Sequence, residues 1–260
     1  MLVETKGEPA LVFDLGTGLK RLAARISKAA ELARSGRAQV RANVLLSHLH
    51  WDHVLGLPFS VPVSLVGAEI DVYGPTQGEL TIQDAFGRFM QPPFFPVGIS
   101  DLQAEVKFHE VWEEDLAIGG LKVRIRPVPH IGPTIGFRIE REGVSVAYVT
   151  DHQQPLSGQG VDEGVLELCD GVDLLIHDAQ YSTEELAARP NWGHSSVDYA
   201  VHVARCAGVS QLALFHHDPS HEDVEIDRLL EHARSLPDAS GVGSIIAAAE
   251  GACLELGGNS

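Results

Sequence analysis

The stretch Ser47-His48-Leu49-His50-Trp51-Asp52-His53 places three imidazoles and one carboxylate within seven residues, directly after a short apolar strand. His48 and His50 are two residues apart, so on an extended segment their side chains lie on the same side. Asp52 and His53 follow a bend and can point toward a second position. Imidazole nitrogens and carboxylate oxygens are ordinary ligands of zinc and similar divalent ions. The motif therefore predicts one half of a two-metal site.

Further residues of the same ligand types follow other predicted strands. His130 follows an apolar stretch at 123–129, Asp151 follows 144–150, and His216 with its neighbour His217 follows 212–215. One histidine at a strand end is usually a surface or hydrogen-bonded residue. Together with the first motif, however, these residues complete a set of five histidines and two aspartates. By position alone, either His216 or His217 could be the ligand that follows this strand.

Composition is that of one soluble globular domain spanning residues 1–260, with 44% hydrophobic and 21% charged residues. The three cysteines are far apart and odd in number, which fits a reducing compartment. The N-terminus is too polar for a signal peptide, and no apolar run approaches the length of a membrane span. We therefore expect a cytoplasmic protein that does not contact membranes.

The formal net charge of −17 disfavours a broad nucleic-acid-binding face, since phosphate affinity comes mainly from clustered Lys and Arg. A small anionic substrate remains compatible, because bound metal ions would invert the local potential. The densest basic cluster (Lys20, Arg21, Arg25 and Lys28) lies on a predicted helix from residue 19 to about 37, where it reads as a solvated face.

Hydrophobic periodicity predicts many short strands with interspersed helices, which is typical of an α/β or α+β layered domain. Predicted strands are Ala10–Phe13, 44–46, 68–73, 105–109, 121–128, 134–139, 144–150, 172–177, 211–216 and 243–248; predicted helices are 19–37, 76–90, 195–207 and Asp223–Ser235. Residues 91–97 (QPPFFPV) contain three prolines and predict an aromatic loop, either a lid or a homodimer contact.

In order and spacing, the ligand set resembles that of the metallo-β-lactamase superfamily. The likeness runs from Phe13-Asp14-Leu15-Gly16 to His216, which is most of the chain. It implies a four-layer αββα sandwich with two metal ions at one edge of the sheets. By this resemblance the first metal has the ligands His48, His50 and His130, the second has Asp52, His53 and His216, and Asp151 bridges them.

Such a centre would hold two divalent ions, with zinc expected and manganese or iron compatible with the same ligands. Two ions about 3.5–4 Å apart can lower the pKa of a shared water and stabilise both the attacking and the leaving oxygen. The resemblance thus implies hydrolysis by a metal-bridging hydroxide. Asp52 can also orient that hydroxide as it attacks.

Two further elements narrow the choice of branch. His177-Asp178-Ala179 closes an apolar strand and Gly193-His194-Ser195 opens a helix, and both resemble elements of the tRNase Z and phosphoribosyl cyclic phosphodiesterase branch. That resemblance implies that Asp178 orients His194, which protonates the leaving oxygen as a general acid. The alternative is that Ser195 caps its helix and His194 is a surface neighbour.

The chain departs from tRNase Z in two respects: aspartate stands at Asp178 where that enzyme has glutamate, and no basic tRNA-gripping insertion is found. We therefore expect a phosphodiesterase that acts on a small or cyclic phosphodiester rather than on nucleic acid. The alternatives are a lactone or thioester hydrolase with the same metal core, and a non-catalytic sensor that kept the fold. The roles of His152 and His217 stay open.

Overall fold

A computed structural model of the chain describes residues 1–19, 40–60, 66–157 and 160–257. The described residues fall into two compact units. The first comprises Met1–Trp112 and Ile118–Gly120, and the second comprises Glu113–Ala117 and Leu121–Ser260. The predicted helix from residue 19 to 37, with its basic cluster, falls almost wholly on residues outside the described ranges. That the two units form one domain stays a prediction.

The first unit is built on a five-stranded mixed sheet. Its strands, in sheet order, are β1 (Leu2–Val3), β2 (Ala10–Phe13), β3 (Arg41–Leu45), β4 (Glu69–Gly74) and β5 (Glu105–Glu110). β1 is antiparallel to β2, and the four strands from β2 to β5 are parallel. Because parallel strands end at the same edge, the residues that follow β2 and β3 lie side by side there.

Alternating burial fixes which face of this sheet packs inward. In β4 every second residue, Ile70, Val72 and Gly74, is buried, while the residues between them are half-exposed. A period of two is the signature of a strand with one covered face. The core beneath this face includes Val12, Val44 and Phe86. The hydrophobic core of the first unit therefore supports the end of β3 and the histidine motif that follows it.

The second unit is built on a seven-stranded mixed sheet. In chain order its strands are β6 (Glu114–Ile118), β7 (Leu121–Pro127), β8 (Ile135–Arg141), β9 (Val144–Val149), β10 (Leu174–Asp178), β11 (Gln211–Phe215) and β12 (Ser244–Ala247). The sheet order is β12-β11-β10-β9-β8-β7-β6. The strands from β9 to β12 are mutually parallel, whereas β8 is antiparallel to both β7 and β9.

This topology brings four predicted site residues to one edge of the second sheet. β9, β10 and β11 are neighbours that run in the same direction, so Asp151, Asp178 and His216 come at adjacent carboxyl ends. β7 runs parallel to β9 across β8, so His130 follows a strand that ends at the same edge. Ligand sites of open parallel sheets lie at such carboxyl ends.

Six α-helices are described: α1 (Trp51–Val54), α2 (Ile82–Phe89), α3 (Glu163–Cys169), α4 (Thr183–Ala187), α5 (Val197–Cys206) and α6 (Asp223–Ser235). Short 3-10 turns lie at Leu57–Phe59, Ile99–Asp101 and Pro237–Gly241. α5 packs on β10 and β11, and α3 packs on β7, β8 and β9. The core of the second unit therefore lies between these helices and the sheet, with Leu175 and Ala200 fully buried in it.

Most predicted elements are present, with ends shifted by a few residues. The helix predicted at 76–90 is shorter, because residues 77–80 form a turn in which Gln77 N donates to Leu80 O and Gly78 has a φ of +65°. Thr81 then caps α2 by accepting a hydrogen bond from Asp84 N. The sequence analysis missed β1, β6, α3 and α4. β6 is an edge strand with mostly exposed residues, so it lacks a clear hydrophobic pattern.

Residues 91–97 form turns rather than helix or strand, as their prolines predict. Two mixed sheets with packed helices agree with the expected α/β class. Among the described residues, none of the helices combines the length and the apolar character needed to cross a bilayer.

Gly136 in β8 offers a test of how tightly the second unit is packed around the ends of β7 and β9. A Cβ at this position would lie 2.8 Å from Leu168 Cδ1 and 2.9 Å from Val128 Cγ2. We expect Gly136→Ala to lower the free energy of unfolding by about 1–3 kcal/mol through overpacking. Gly87→Ala is the matched control, because the α2 position is open and alanine favours helix. Denaturant melts in which both variants behave alike would contradict the packing described here.

Candidate active site

In the first unit the histidine motif folds so that its three imidazoles converge. The ring centroids of His48 and His50 are 4.5 Å apart, and those of His48 and His53 are 4.3 Å apart. His53 Nε2 lies 3.1 Å from Asp52 Oδ2. α1 begins at Trp51, so Asp52 and His53 sit on a helical turn while His48 and His50 precede it on extended chain. The change from strand to helix thus gathers four ligand-type side chains.

Asp14, which follows β2, is the buried hub behind this motif. Its Oδ1 accepts a hydrogen bond from Ser47 N at 2.7 Å, and its Oδ2 accepts from Ser47 Oγ at 3.0 Å and from His53 Nδ1 at 2.8 Å. Since the Ser47 hydroxyl donates to Asp14, it accepts from His48 Nδ1 at 3.0 Å. Both histidines therefore carry their proton on Nδ1, which leaves Nε2 as the nitrogen able to bind a metal.

The charge of Asp14 is retained despite complete burial. Burial alone raises the pKa of this carboxyl, but the neighbouring His53, the Ser47 N–H and His48 together hold it below its usual range. An ionised carboxylate accepts hydrogen bonds only, so it fixes the orientation of Ser47 and His53. Sequence analysis gave Asp14 no role beyond its place at the start of the family likeness. The signal that was available is an acidic residue directly after a buried strand, the same signal that singled out Asp151.

In the second unit the three predicted ligands also lie together. Asp151 Oδ1 is 3.3 Å from His216 Nε2 and 3.9 Å from His130 Nε2. Its other oxygen, Oδ2, accepts a hydrogen bond from Thr150 Oγ1 at 2.6 Å. His130 Nδ1 donates to the carbonyl oxygen of Gly193 at 2.6 Å. As with His48 and His53, a donor bond at Nδ1 leaves the Nε2 lone pair directed at the ligand cluster.

Backbone strain is concentrated at these positions. Among the described residues other than glycine, four have a positive φ: Asp14 (+56°), Asp151 (+51°), His216 (+59°) and Glu142 (+51°). Asp14 follows β2 in the first unit, Asp151 and His216 follow β9 and β11 in the second, and Glu142 lies in the turn between β8 and β9. The left-handed region costs about 1–2 kcal/mol for a residue other than glycine. Aspartate and histidine tolerate it better than most residues, and such strain tends to gather at functional sites.

Asp178 and His194 form a hydrogen-bonded pair at the same edge of the second sheet. His194 Nδ1 donates to Asp178 Oδ2 at 2.9 Å. The carboxylate is completely buried and also accepts from His152 N at 3.0 Å and from Gln180 N at 3.0 Å. The aspartate is therefore held by two backbone N–H groups before it contacts His194. Its shorter side chain, compared with the glutamate of tRNase Z, still reaches the imidazole.

The imidazole of His194 lies against two of the predicted ligands. Its ring is stacked on His216 with centroids 5.1 Å apart and an interplanar angle of 16°, and its centroid is 5.3 Å from that of His130. Ligand-type atoms of Asp178, His194 and His216 all fall within 4.8 Å of one another. A half-buried histidine oriented by a buried carboxylate has the arrangement of a general acid or base. His194 is thus more than a neighbour of the α5 cap, which is Ser196.

Behind Asp178 two buried histidines form a chain. His177 Nδ1 donates to the Asp178 carbonyl oxygen at 2.7 Å, so His177 Nε2 accepts from His152 Nδ1 at 2.9 Å. Burial, together with His177 and His130, keeps the pKa of His152 well below its usual value, and burial lowers that of His177. Both rings are neutral at physiological pH. His217 turns away from the cluster, since its Nε2 bonds the Ala248 carbonyl at 3.2 Å.

The loop that carries His194 is held by two glutamines that sequence analysis did not single out. Gln153 Oε1 accepts from Gly193 N at 2.8 Å, and Gln154 Oε1 accepts from Ser196 N at 3.0 Å. Gly193 has a φ of +90°, and a Cβ there would overlap the His130 ring. These contacts span some forty residues of sequence, so no local pattern could have revealed them.

Comparison with known proteins identifies the family. A family model described as "Beta-lactamase superfamily domain" matches residues 11–217. The chain therefore belongs to the beta-lactamase superfamily and has the metallo-β-lactamase fold, as the sequence motifs predicted. It is a hydrolase of this superfamily. The family and the histidine–aspartate groups together indicate divalent metal binding.

Among the curated relatives is a ribonuclease Z of Mycobacterium marinum, which is 30% identical over 84% of this chain and 79% of its own length. Two solved structures share the fold. A diphosphatase of the PhnP family has a TM-score of 0.66 at 23% identity, covering 98% of this chain and 83% of that one. Zn²⁺-bound PqqB of Methylobacterium extorquens has a TM-score of 0.65 at 19% identity, covering 98% and 86%. The ribonuclease relative stands in tension with the expectation that nucleic acid is not the substrate.

Replacing Asp14 tests whether this hub prepares the histidine motif for metal. We expect Asp14→Asn to weaken Zn²⁺ affinity by roughly 10- to 100-fold, because the variant loses the charge that holds His53 and Ser47. Isothermal titration of metal-free protein with Zn²⁺ measures the affinity. Asp71→Asn is the control, since Asp71 also pairs with a histidine (His109, 2.7 Å) but contacts none of the predicted ligands. Equal affinity of the Asp14 variant and wild type would rule out this role.

Proposed function

We propose that the chain is a metal-dependent phosphodiesterase whose centre holds two divalent ions. Seven residues would bind them: His48, His50, Asp52, His53, His130, Asp151 and His216. Support comes from the family and from the protonation pattern, since His48, His53 and His130 each donate a hydrogen bond from Nδ1 and so offer Nε2 to a metal. Asp151 Oδ1 lies 3.3 Å from His216 Nε2 and 3.9 Å from His130 Nε2, so Asp151 would bind metal together with these imidazoles and is the ligand that we propose the two ions share.

Zinc is the metal we propose. The donors are imidazole nitrogens and carboxylate oxygens without thiolate, a set that zinc shares with manganese and iron. Five imidazoles among seven ligands favour the borderline ions over magnesium or calcium, which prefer oxygen. The structure of PqqB, which has the same fold, is described as Zn²⁺-bound.

The ions, when bound, would supply a strong nucleophile at neutral pH and stabilise the charge that develops on the phosphoryl oxygens. Asp52, more than half exposed and 3.1 Å from His53 Nε2, is placed to orient the attacking group. His194 would then give its proton to the leaving oxygen. Its Nδ1 proton is engaged by Asp178 at 2.9 Å, so the proton to be transferred is the one on Nε2.

The pair of Asp178 and His194 is the observation that best supports a phosphodiester as substrate. An alkoxide is a poor leaving group and needs a proton, whereas a thiolate or a lactone oxygen needs that help less. The completely buried carboxylate and the stacking of His194 on His216 hold the acid in one orientation. Orientation of this kind is what a proton donor needs in order to contribute.

We propose a small or cyclic phosphodiester as substrate, because a net charge of −17 opposes long-range attraction of a nucleic acid. A second candidate is the end of an RNA chain, and the specific observation in its favour is the ribonuclease Z name of the relative from Mycobacterium marinum. The two candidates share the reaction and differ in the size of the substrate.

A substrate screen tests the proposed reaction. Metal-free protein would be reconstituted with Zn²⁺ and offered bis-p-nitrophenyl phosphate, a 2′,3′-cyclic nucleotide, a short single-stranded RNA, a lactone and a glutathione thioester. We expect phosphodiester turnover that rises until two equivalents of Zn²⁺ are bound and is lost with a chelator. Turnover of only the lactone or thioester would refute the phosphodiesterase, and full activity at one equivalent would refute the two-ion centre. The RNA and the cyclic nucleotide separate the two substrate candidates.

Leaving-group dependence tests the role of His194. We expect His194→Gln to lower kcat by roughly 10²- to 10⁴-fold on phenyl methyl phosphate, whose leaving group needs a proton, and much less on p-nitrophenyl methyl phosphate. His232→Gln is the matched control, because His232 also bonds an aspartate (Asp198, 2.9 Å) at a surface away from the site. A loss of equal size on both esters would show that His194 does not act as the acid.

A further inference from the structure

The segment between the two members of the acid pair, residues 179–193, carries aromatic and cationic side chains with no role in the scheme above. Ser182 begins α4 with a capping box, in which its Oγ accepts from Glu185 N and its N donates to Glu185 Oε2. After α4 the chain turns back, with Arg189 N donating to Leu186 O and Trp192 N to Arg189 O. Arg189 and Trp192 are thereby presented just before His194.

Arg189 links an exposed ring to a buried one. Its guanidinium carbon lies 5.2 Å from the centroid of Tyr181 and 5.4 Å from that of Trp192. The Tyr181 centroid is in turn 6.0 Å from that of His194. Cation–π contacts at these distances hold a guanidinium in place. A continuous series of contacts therefore leads from the acid to the surface, through Tyr181 and Arg189 to Trp192.

The outer end of this series is open to solvent. Trp192 is 59% exposed, whereas Tyr181 is 2% exposed. Most of the Trp192 ring is therefore accessible to a flat group from solution, and the neighbouring guanidinium holds the ring in place. Gly193, the next residue, is fixed by Gln153, so the ring is carried on a positioned backbone rather than on a free loop.

The charge of Arg189 is only lightly engaged. Within the part of the chain that the structure describes, its guanidinium makes one hydrogen bond, from Nη1 to the Glu185 carbonyl at 3.5 Å, and no ion pair. Asp218 is within electrostatic reach, but its Oδ1 accepts two hydrogen bonds from Ser220. In a chain of net charge −17, an arginine with donors to spare, separated from the proposed proton donor by the Tyr181 ring, suits a phosphate.

We infer that Arg189 and Trp192 form a nucleotide-binding shelf, on which a nucleobase of the substrate stacks on Trp192 while Arg189 contacts its phosphate. This inference rests on the proposed phosphodiesterase and narrows its substrate to esters that contain a nucleoside. Stacking on an indole tolerates any base, because every base has a π-face. One ring and one guanidinium accommodate a single nucleotide unit, which fits both a cyclic nucleotide and the terminal nucleotide of an RNA.

Two chromogenic esters with the same leaving group separate binding at the shelf from the chemical step. Thymidine 5′-(p-nitrophenyl phosphate) carries a base, and methyl p-nitrophenyl phosphate does not. We expect wild type to have the higher kcat/KM on the thymidine ester. Trp192→Ala should lower the ratio of the two kcat/KM values by roughly 5- to 100-fold, mainly through KM, whereas Trp192→Phe should retain most of it. Arg189→Gln should raise KM for the thymidine ester.

Trp112→Ala is the matched control, since Trp112 is 44% exposed and outside the shelf. Its ratio of kcat/KM values on the two esters should equal that of wild type. If Trp192→Ala hydrolyses both esters and leaves the ratio of their kcat/KM values unchanged, the shelf is refuted. The phosphodiesterase proposal would not be affected by that result.

Binding measured without turnover separates the two proposals further. We expect thymidine monophosphate to quench the tryptophan fluorescence of wild type saturably, and the quenching to be lost in Trp192→Phe. If neither ester is hydrolysed, the phosphodiesterase proposal is refuted. The fluorescence titration would still test whether a nucleobase binds to the shelf. Quenching of equal amplitude in Trp192→Phe and wild type would refute nucleobase stacking at this position.

Discussion

In each unit, the grouping of the candidate residues depends on parallel strands that end side by side, combined with a reversal of the backbone after some of those strands. β2 and β3 in the first sheet, and β9, β10 and β11 in the second, each deliver polar residues at a carboxyl end. Asp14, Asp151 and His216 bend the chain there with a left-handed φ. Regular strand geometry alone would send successive side chains to opposite faces, so the bend changes the direction in which Asp14, Asp151 and His216 project. The hydrophobic cores beneath the sheets sustain the strain.

Carboxylates and carbonyls govern the protonation of the site. Asp14 and the Gly193 carbonyl take the Nδ1 protons of His53 and His130, while Asp178 takes that of His194. The same type of hydrogen bond from Nδ1 therefore has two different consequences. For His53 and His130 it leaves Nε2 without a proton, and for His194 it fixes the orientation of the ring. In both cases the partner is buried, so water does not compete for the proton.

Sequence patterns predicted the fold and most of the candidate site, because the strands are buried and their ends are marked by charged or imidazole side chains. His130, Asp151, Asp178 and His216 were found in this way. Asp14 was missed because its role depends on contacts with residues 33 and 39 positions away. The glutamines that hold the His194 loop were missed for the same reason. β6 was missed because it is an exposed edge strand without a clear hydrophobic pattern. The start of α2 was predicted too early because a turn with Gly78 precedes the helix.

The loop between Asp178 and His194 is anchored at both ends. Its first anchor is a carboxylate held by two backbone N–H groups, and its second is a glycine whose missing side chain makes room for the His130 ring. Between the anchors, Tyr181 and Leu186 are buried, whereas most residues of 187–192 are exposed. A combinatorial library confined to the exposed positions of 187–192 can therefore change the surface next to His194 while both anchors keep their contacts.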